Sequence, residues 1–449
     1  MSSYVINSPL EVSHRKATGR ALRVPQWLPL LLLALWAFVP SRMLPVLYMA
    51  DIPLYLWDPL LVLVAVISAI ALSAQRSLPS WASTPVLFKI FLVILVYATI
   101  SISWSDAGTA DATAMLWTLV VGAAAAIVGV AACARIDIAQ IRNLLWYLTV
   151  LMAVISTVYF IESYYSLGLR TEAALWNDFG IQRLKGPLLG SSVGHFVLLP
   201  AFGCALDRLF SAKGRRVFAW VVCLLIGTAI LALGSRSAML GLGAFACFVA
   251  VRLPMKRRIL FLLAVGAVVS LGLVVVFSRA SSDRLMDMND QSREATYRTA
   301  FEMFRTAPIP EQLFGSGYGS RWPWYIMDKS PGGVDTSSAM YFRSTAFGYT
   351  LYHPHSTFIM LAVELGVVGF GLGCALVLKL LSTMRTNARS SSDTFLSIAM
   401  VASLSVSCVD LTFFKNSGMN AVWWIYACGA GSIASASRDR KQPSRLLAP

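Results

Sequence analysis

The sequence predicts an all-α fold, a polytopic helical bundle in a membrane, on three observations. Of 449 residues, 57% are hydrophobic and 13% charged, against about 45–50% and roughly 25% in soluble domains. Apolar runs of bilayer-crossing length, about 20 residues, recur from Trp27 to the region of Trp424. Lys and Arg are also divided unevenly between alternate loops. A membrane β-barrel would instead show weak segments of alternating polarity, and runs such as Leu61 to Leu72 are continuous.

In chain order, spans are expected near residues 25–40, 52–74, 84–104, 114–134, 142–164, 186–206, 217–234, 237–251, 259–277, 355–381, 395–412 and 418–434, about twelve in all. The first ends in Phe38-Val39-Pro40-Ser41-Arg42. That is not the small-residue cleavage site of a signal peptide, so the segment is expected to remain. Basic residues accumulate on the cytoplasmic side of short loops. With both termini cytoplasmic, and residues at span ends counted with the adjoining segment, the cytoplasmic segments hold 22 Lys and Arg against 5 Asp and Glu. The external segments hold 14 of each. The net charge of +15 is therefore a topology signal and not a nucleic-acid footprint. The resulting plan is a cytoplasmic tail 1–24, nine spans over 25–277, a large external loop 278–354, three spans over 355–434 and a cytoplasmic tail 435–449.

All seven cysteines lie in or beside apolar runs, which implies no disulfide framework. No repeat or nucleotide-binding loop is present. Gly315, Gly317 and Gly319 lack the Lys-Ser/Thr of a phosphate loop and are expected in turns.

Polar chemistry concentrates in the external segments. The long loop carries Trp322, Trp324, Tyr325, Tyr341, Phe342, Phe347, Tyr349 and Tyr352, too many aromatics for a disordered stretch. Their faces suit the C–H faces of sugars, or packing on the bundle. Asp290 to Thr306 reads as a helix ended before Pro308. Arg293, Tyr297, Ala300, Phe301 and Phe304 share one stripe, with Glu294, Arg298, Glu302 and Arg305 opposite. An arginine on the face to be buried needs an anion, either a protein carboxylate or a ligand phosphate.

Arg236 stands in the tight external turn Gly234-Ser235-Arg236-Ser237. Snorkelling to headgroups is one role for it; gripping a diphosphate by bidentate hydrogen bonds, with Arg183 and Lys185 on the same side, is another. His353 and His355 lie at the mouth of the tenth span. Two imidazoles alone are weak evidence for a metal, and none is expected. At a helix start the imidazole is held neutral, as a general base requires; a satisfied interfacial histidine is the alternative. Gly366, Gly369 and Gly373 flatten one side of that span for close helix contact. Asp58, Glu364 and Asp410 are costly inside a bilayer and receive no role from the sequence.

These residues resemble the bacterial O-antigen ligase and O-antigen or exopolysaccharide polymerase superfamily, integral-membrane glycosyltransferases of the GT-C type, over roughly residues 180–375. His355-Ser356, nine residues, Gly366, two residues and Gly369 match the family pattern of His, then Asn/Ser/Gln, nine residues, Gly, two residues and Gly/Thr/Tyr. Arg236 to Leu240 matches its Arg-x-x-x-Leu element, and Arg183 its Arg-Leu-x-Gly element. Arg293, ahead of Leu313-Phe314-Gly315-Ser316-Gly317, resembles the large-loop arginine, with Arg298 close by; Ile309-Pro310-Glu311-Gln312 departs from the usual shorter link.

The resemblance implies transfer of a glycan from an undecaprenyl-diphosphate-linked oligosaccharide to a sugar hydroxyl at the periplasmic face of the inner membrane, without cofactor, metal or nucleotide. His355, Arg236 and Arg293 would be catalytic, and Arg183, Lys185, Arg298 and His353 substrate-binding. The acceptor would be a glycan, as in a polymerase, or the lipid A core, as in a ligase. Membrane lipids and other polysaccharide assembly proteins would be partners, and nucleic acid would not. A lipid-linked oligosaccharide flippase or transporter is the competing class. Transporters place substrate groups near the midplane, often within internal repeats; here there is no repeat, and the charged groups gather at one face.

Overall fold

The computed structural model describes residues 46–49, 52–55, 57–74, 86–105, 109–133, 137–165, 176–178, 181–183, 194–211, 216–233, 235–252, 255, 258–259, 262–263, 266, 291–320, 342–345, 348–351, 356–387, 394–410 and 417–439. The first expected span and most of the ninth lie outside them.

The chain is helical, as its composition dictates. The bundle helices are α1 (Trp57–Ala74), α2 (Val86–Ser101), α3 (Thr109–Cys133), α4 (Ile138–Tyr165), α5 (His195–Ser211), α6 (Arg216–Ala232) and α7 (Arg236–Arg252). After α7 come α8 (Gln291–Thr306) and α9 (Ile309–Phe314), followed by α10 (Thr357–Glu364), α11 (Gly366–Asn387), α12 (Thr394–Ser405) and α13 (Ser417–Asp439). Three short antiparallel hairpins accompany them: β1–β2 (Val46–Met49, Ile52–Tyr55), β3–β4 (Trp176–Asp178, Ile181–Arg183) and β5–β6 (Phe342–Thr345, Gly348–Leu351). The first takes residues 52–55 out of the expected second span, since Pro53 lacks the amide that a helix interior requires.

Helix α5 is the centre of the bundle. It packs against α4, α6, α7, α12 and α13, and its side chains from His195 to Asp207 are all buried. Close approach is set by small residues. A Cβ on Gly203 would come within 2.6 Å of both the Ala399 Cβ and the Phe395 carbonyl of α12. On α13, Trp423 stacks on Phe196 of α5, with ring centroids 5.7 Å apart, and donates its indole N–H to Ser403 Oγ at 2.9 Å. Buried polar groups find partners inside the bundle: Thr149 and Tyr426 hydroxyls meet at 3.0 Å, and Trp117 donates to Asp58 at 3.2 Å.

The outside is apolar. Ile70, Val96, Ile100, Val154, Val217, Leu240 and Leu378 are among many large hydrophobic side chains left exposed, far beyond the scattered apolar surface of a soluble monomer. Two described helices, Val86–Trp104 and Ile138–Val158, are long and apolar enough to cross a membrane, and seven shorter apolar helices accompany them.

The run expected as one span over 355–381 is two helices. It breaks at Leu365-Gly366, where Gly366 takes φ +67°. α10 folds back on α11, bringing Phe358 against Phe370 at 6.2 Å and Leu361 beside Gly373. The flattened glycine face is used as expected, but its partner is the preceding helix. Eight residues cover about 12 Å, too little to cross a bilayer.

These contacts predict opposite outcomes for two helical glycines. Gly203→Ala should destabilise the protein by about 1–3 kcal/mol through overpacking. Gly243→Ala, which meets nothing within 4 Å, should be neutral or gain up to about 1 kcal/mol of helix propensity. Melting of the purified variants in detergent checks both; equal effects would contradict the packing.

Candidate functional site

Arg236 is the first residue of α7 and half-buried. The turn before it is short because α6 ends at Ala232 and the Ser235 carbonyl already accepts the Met239 amide at 3.1 Å. Ser235 and Ser237 share a hydroxyl–hydroxyl bond of 2.6 Å. Ser237 Oγ donates to Asp410 Oδ2 at 3.0 Å, and Asp410 is itself buried.

The same aspartate reaches the second motif. Thr357 Oγ1 donates to the Asp410 carbonyl at 3.0 Å. Ser356 caps α10 from extended backbone, its carbonyl accepting the Met360 amide at 3.1 Å. One residue after Arg236 and two after His355, the chain is thus fastened to Asp410 on both sides. His353, His355 and Lys185 lie outside the described residues. The backbone of Arg183 ends β4.

The third arginine's helix joins this assembly. α8 packs against α10 and β6, and both α10 and α7 touch the 3-10 turn Val406–Cys408 that precedes Asp410. Helix α8 has nearly the expected bounds. Ala300 is buried, with Met303 and Phe304 packed on the core. The backbone of Arg293 lies in the first turn of α8. Phe301 departs from the expected buried face, being 63% exposed; the stripe centres on Ala300 and Met303 and turns Phe301 outward. On the opposite face Arg298 is exposed, and Arg305 pairs with Glu302 at 2.9 Å.

The glycine turn after α9 is pinned to the end of α10. Ser316 N–H donates to the Val363 carbonyl at 3.3 Å, Gly317 N–H to the Glu364 carbonyl at 3.0 Å, and Gly319 N–H to Glu364 Oε2 at 3.2 Å. Gly315, at φ +83°, presses its Cα against the Glu364 carbonyl, and Gly366 presses against the Leu313 carbonyl, so a Cβ at either would strike backbone. Tyr318 is enclosed here. Burial, and then the neighbouring Glu364 charge, push its phenol well above the ordinary value of 10.

Residues 221–374 match the family model described as O-antigen ligase. Over this third of the chain the sequence is similar to O-antigen ligases. The match takes in the Arg236 turn, α8 with Arg293 and Arg298, the glycine turn, the two histidines and the α10–α11 fold-back. Arg183 and Lys185 precede the matched residues. Comparison with curated proteins finds no match. The family is membrane-integral and its chemistry is glycan transfer, in keeping with the apolar outer face.

Two residues without a role in the sequence acquire one beside the O-antigen ligase motifs: Asp410 joins the Arg236 and His355 segments, and Glu364 holds the glycine turn. The available signal was a carboxylate in an apolar run. His195 gave no such signal. It is buried at the head of α5, next to Gly194, whose Cβ would meet Leu233 of the Arg236 turn at 3.3 Å. Neither ring nitrogen bonds a described residue.

The Ser237–Asp410 bond predicts energetic coupling. In a double-mutant cycle of Ser237→Ala and Asp410→Asn, stabilities should depart from additivity by about 0.5–3 kcal/mol. Strict additivity in detergent denaturation would show that the bond does not join the two segments.

Proposed function

We propose that the protein transfers an undecaprenyl-diphosphate-linked glycan to a sugar hydroxyl at the periplasmic face of the inner membrane, polymerising the repeat units of a surface polysaccharide. The observation that carries this reading is Asp410, bonded to Ser237 beside Arg236 and to Thr357 beside His355, within the reach of the stretch similar to O-antigen ligases. The topology that goes with it has about twelve spans and cytoplasmic termini. The charge division between alternate loops supports it, as does the exposed apolar face of the helices.

In this mechanism the acceptor oxygen attacks the anomeric carbon, and the bond from that carbon to the diphosphate oxygen breaks. The hydroxyl proton passes to His355, and the lipid diphosphate leaves with the bonding electrons. Attack from the face opposite the leaving group inverts the anomeric centre. Arg236 and Arg293 hold the diphosphate and stabilise the charge that grows on it. Arg183, Lys185, Arg298 and His353 are assigned to substrate binding. No metal or cofactor enters the scheme, because two guanidinium groups supply the positive charge.

The aromatic stretch of the external segment supports polymerisation, offering a path for a lengthening glycan. The family description favours a second reading, ligation of the glycan to the lipid A core. The acceptor separates the two.

Purified protein given an undecaprenyl-diphosphate oligosaccharide should release lipid diphosphate in step with glycan transfer. His355→Ala should lower the rate about 10²–10⁴-fold, the range of a lost general base. Arg236→Ala should lower it steeply, with Arg236→Lys intermediate, since lysine keeps the charge without the bidentate fork. Transfer to a second lipid-linked unit assigns a polymerase; transfer only to lipid A core assigns a ligase. Unimpaired turnover in His355→Ala removes the base, and movement of intact donor without bond cleavage replaces the enzyme by a transporter.

A further inference from the structure

A second polar site lies at the other end of the bundle. α5 starts near the Arg236 turn, with Gly194 against Leu233, and runs to Ser211 at the far end. There a pocket of about 190 Å3 opens between the starts of α4 and α12 and the ends of α5 and α13, lined by Arg142, Trp146, Asp207, Arg208, Leu396 and Ile433 among others. It is smaller than the roughly 300–1,000 Å3 of drug-sized sites, so it suits a headgroup rather than a whole ligand.

We infer that this pocket binds the phosphate headgroup of an anionic membrane phospholipid. Asp207 is occupied in capping α12, accepting the Phe395 amide at 3.0 Å and the Leu396 amide at 2.7 Å. The two guanidinium groups leave the lining with a net positive charge. The Arg208 guanidinium sits over the Trp146 ring, 5.8 Å from its centroid. A guanidinium held over an aromatic face can still offer its N–H groups to an anion, and its fork matches the oxygens of a phosphate.

The lipid is chosen over a free anion by the rim. Trp146 meets Phe218 edge-on at 5.8 Å. Phe218 is 48% exposed and Val217 beside it 78% exposed, so the pocket adjoins the apolar outer face where acyl chains lie. An indole bridging a polar pocket and an apolar surface matches the chemistry of the membrane interface. Only the lipid source depends on the membrane reading; the anion pocket stands apart from the transfer reaction.

The test titrates full-length protein in detergent with dioctanoyl-phosphatidylglycerol, dioctanoyl-phosphatidylcholine and inorganic phosphate, reading bound lipid by native mass spectrometry and stability by melting. Phosphatidylglycerol should bind saturably and raise the melting temperature, and the Arg142→Gln/Arg208→Gln variant should bind it at least about tenfold more weakly, the loss expected for charge-assisted hydrogen bonds. Ser211→Glu, which adds a negative charge at an exposed position of the lining, should weaken binding without disturbing packing. Equal binding in both variants, or equally tight phosphatidylcholine, overturns the site. Stabilisation by inorganic phosphate matching that by phosphatidylglycerol overturns the lipid assignment. Glycan turnover is not a readout, so these outcomes are independent of the transfer mechanism.

Discussion

A carboxylate enclosed in an apolar bundle must be given hydrogen-bond donors, and the organisation of this protein follows from where those donors come from. Asp58, Asp207, Glu364 and Asp410 are all buried, and each is bonded across a junction between segments. Asp58 takes the Trp117 indole of α3. Asp207 takes the first amides of α12. Glu364 takes an amide of the glycine turn, and Asp410 takes the Ser237 hydroxyl of α7. Apolar packing alone is permissive about how one helix slides on another. A buried charge is not, because a shift of an ångström or two leaves it without a donor. The carboxylates thus fix the relative placement of elements that the apolar faces merely hold together.

The two ends of the bundle use this device differently. At one end Asp410 and Glu364 draw together segments distant in sequence, the Arg236 turn, the start of α10 and the glycine turn. At the other, Asp207 satisfies the start of a helix, and Arg142 and Arg208 line a pocket beside it. α5, α6, α12 and α13 each run from one end to the other, so the pocket and the motif-bearing turns are separated by the length of a helix and share its rigidity.

Much of this was legible in the residues. Hydropathy marked the helices because a continuous apolar run has few ways to satisfy its backbone except as a helix. Tyr297 to Thr306 read correctly because Pro308 stops the helix and charge alternates with apolar residues. The turn at Arg236 read correctly because a lone charge divided two apolar runs. The break at Gly366 did not, since α10 and α11 are both apolar and periodicity has no term for a fold-back; only a positive φ, invisible in composition, separates them. Phe301 was misassigned because a stripe drawn by hydrophobicity ignores the tilt of the helix on its neighbour. Asp410 and Glu364 were recognisable as unusual, but their partners lie 173 and 45 residues away, a separation that no local pattern encodes.

The pinning of the glycine turn by Glu364 divides the segment between α7 and α10 into unequal parts. Residues 291–320 form a block held to α10 by backbone bonds, whereas residues 321–341 connect Ser320 to the β5–β6 hairpin, which packs on α8. For a connection of this kind the entropy of closure grows only with the logarithm of length, about 0.6 kcal/mol for each doubling. A change of length between these points therefore costs little in closure entropy, while a change in the block itself is felt at α10. Such a layout separates the length of the connection from the packing of the block: the number of residues between Ser320 and Phe342 can differ without moving the contact of Gly315 with Glu364.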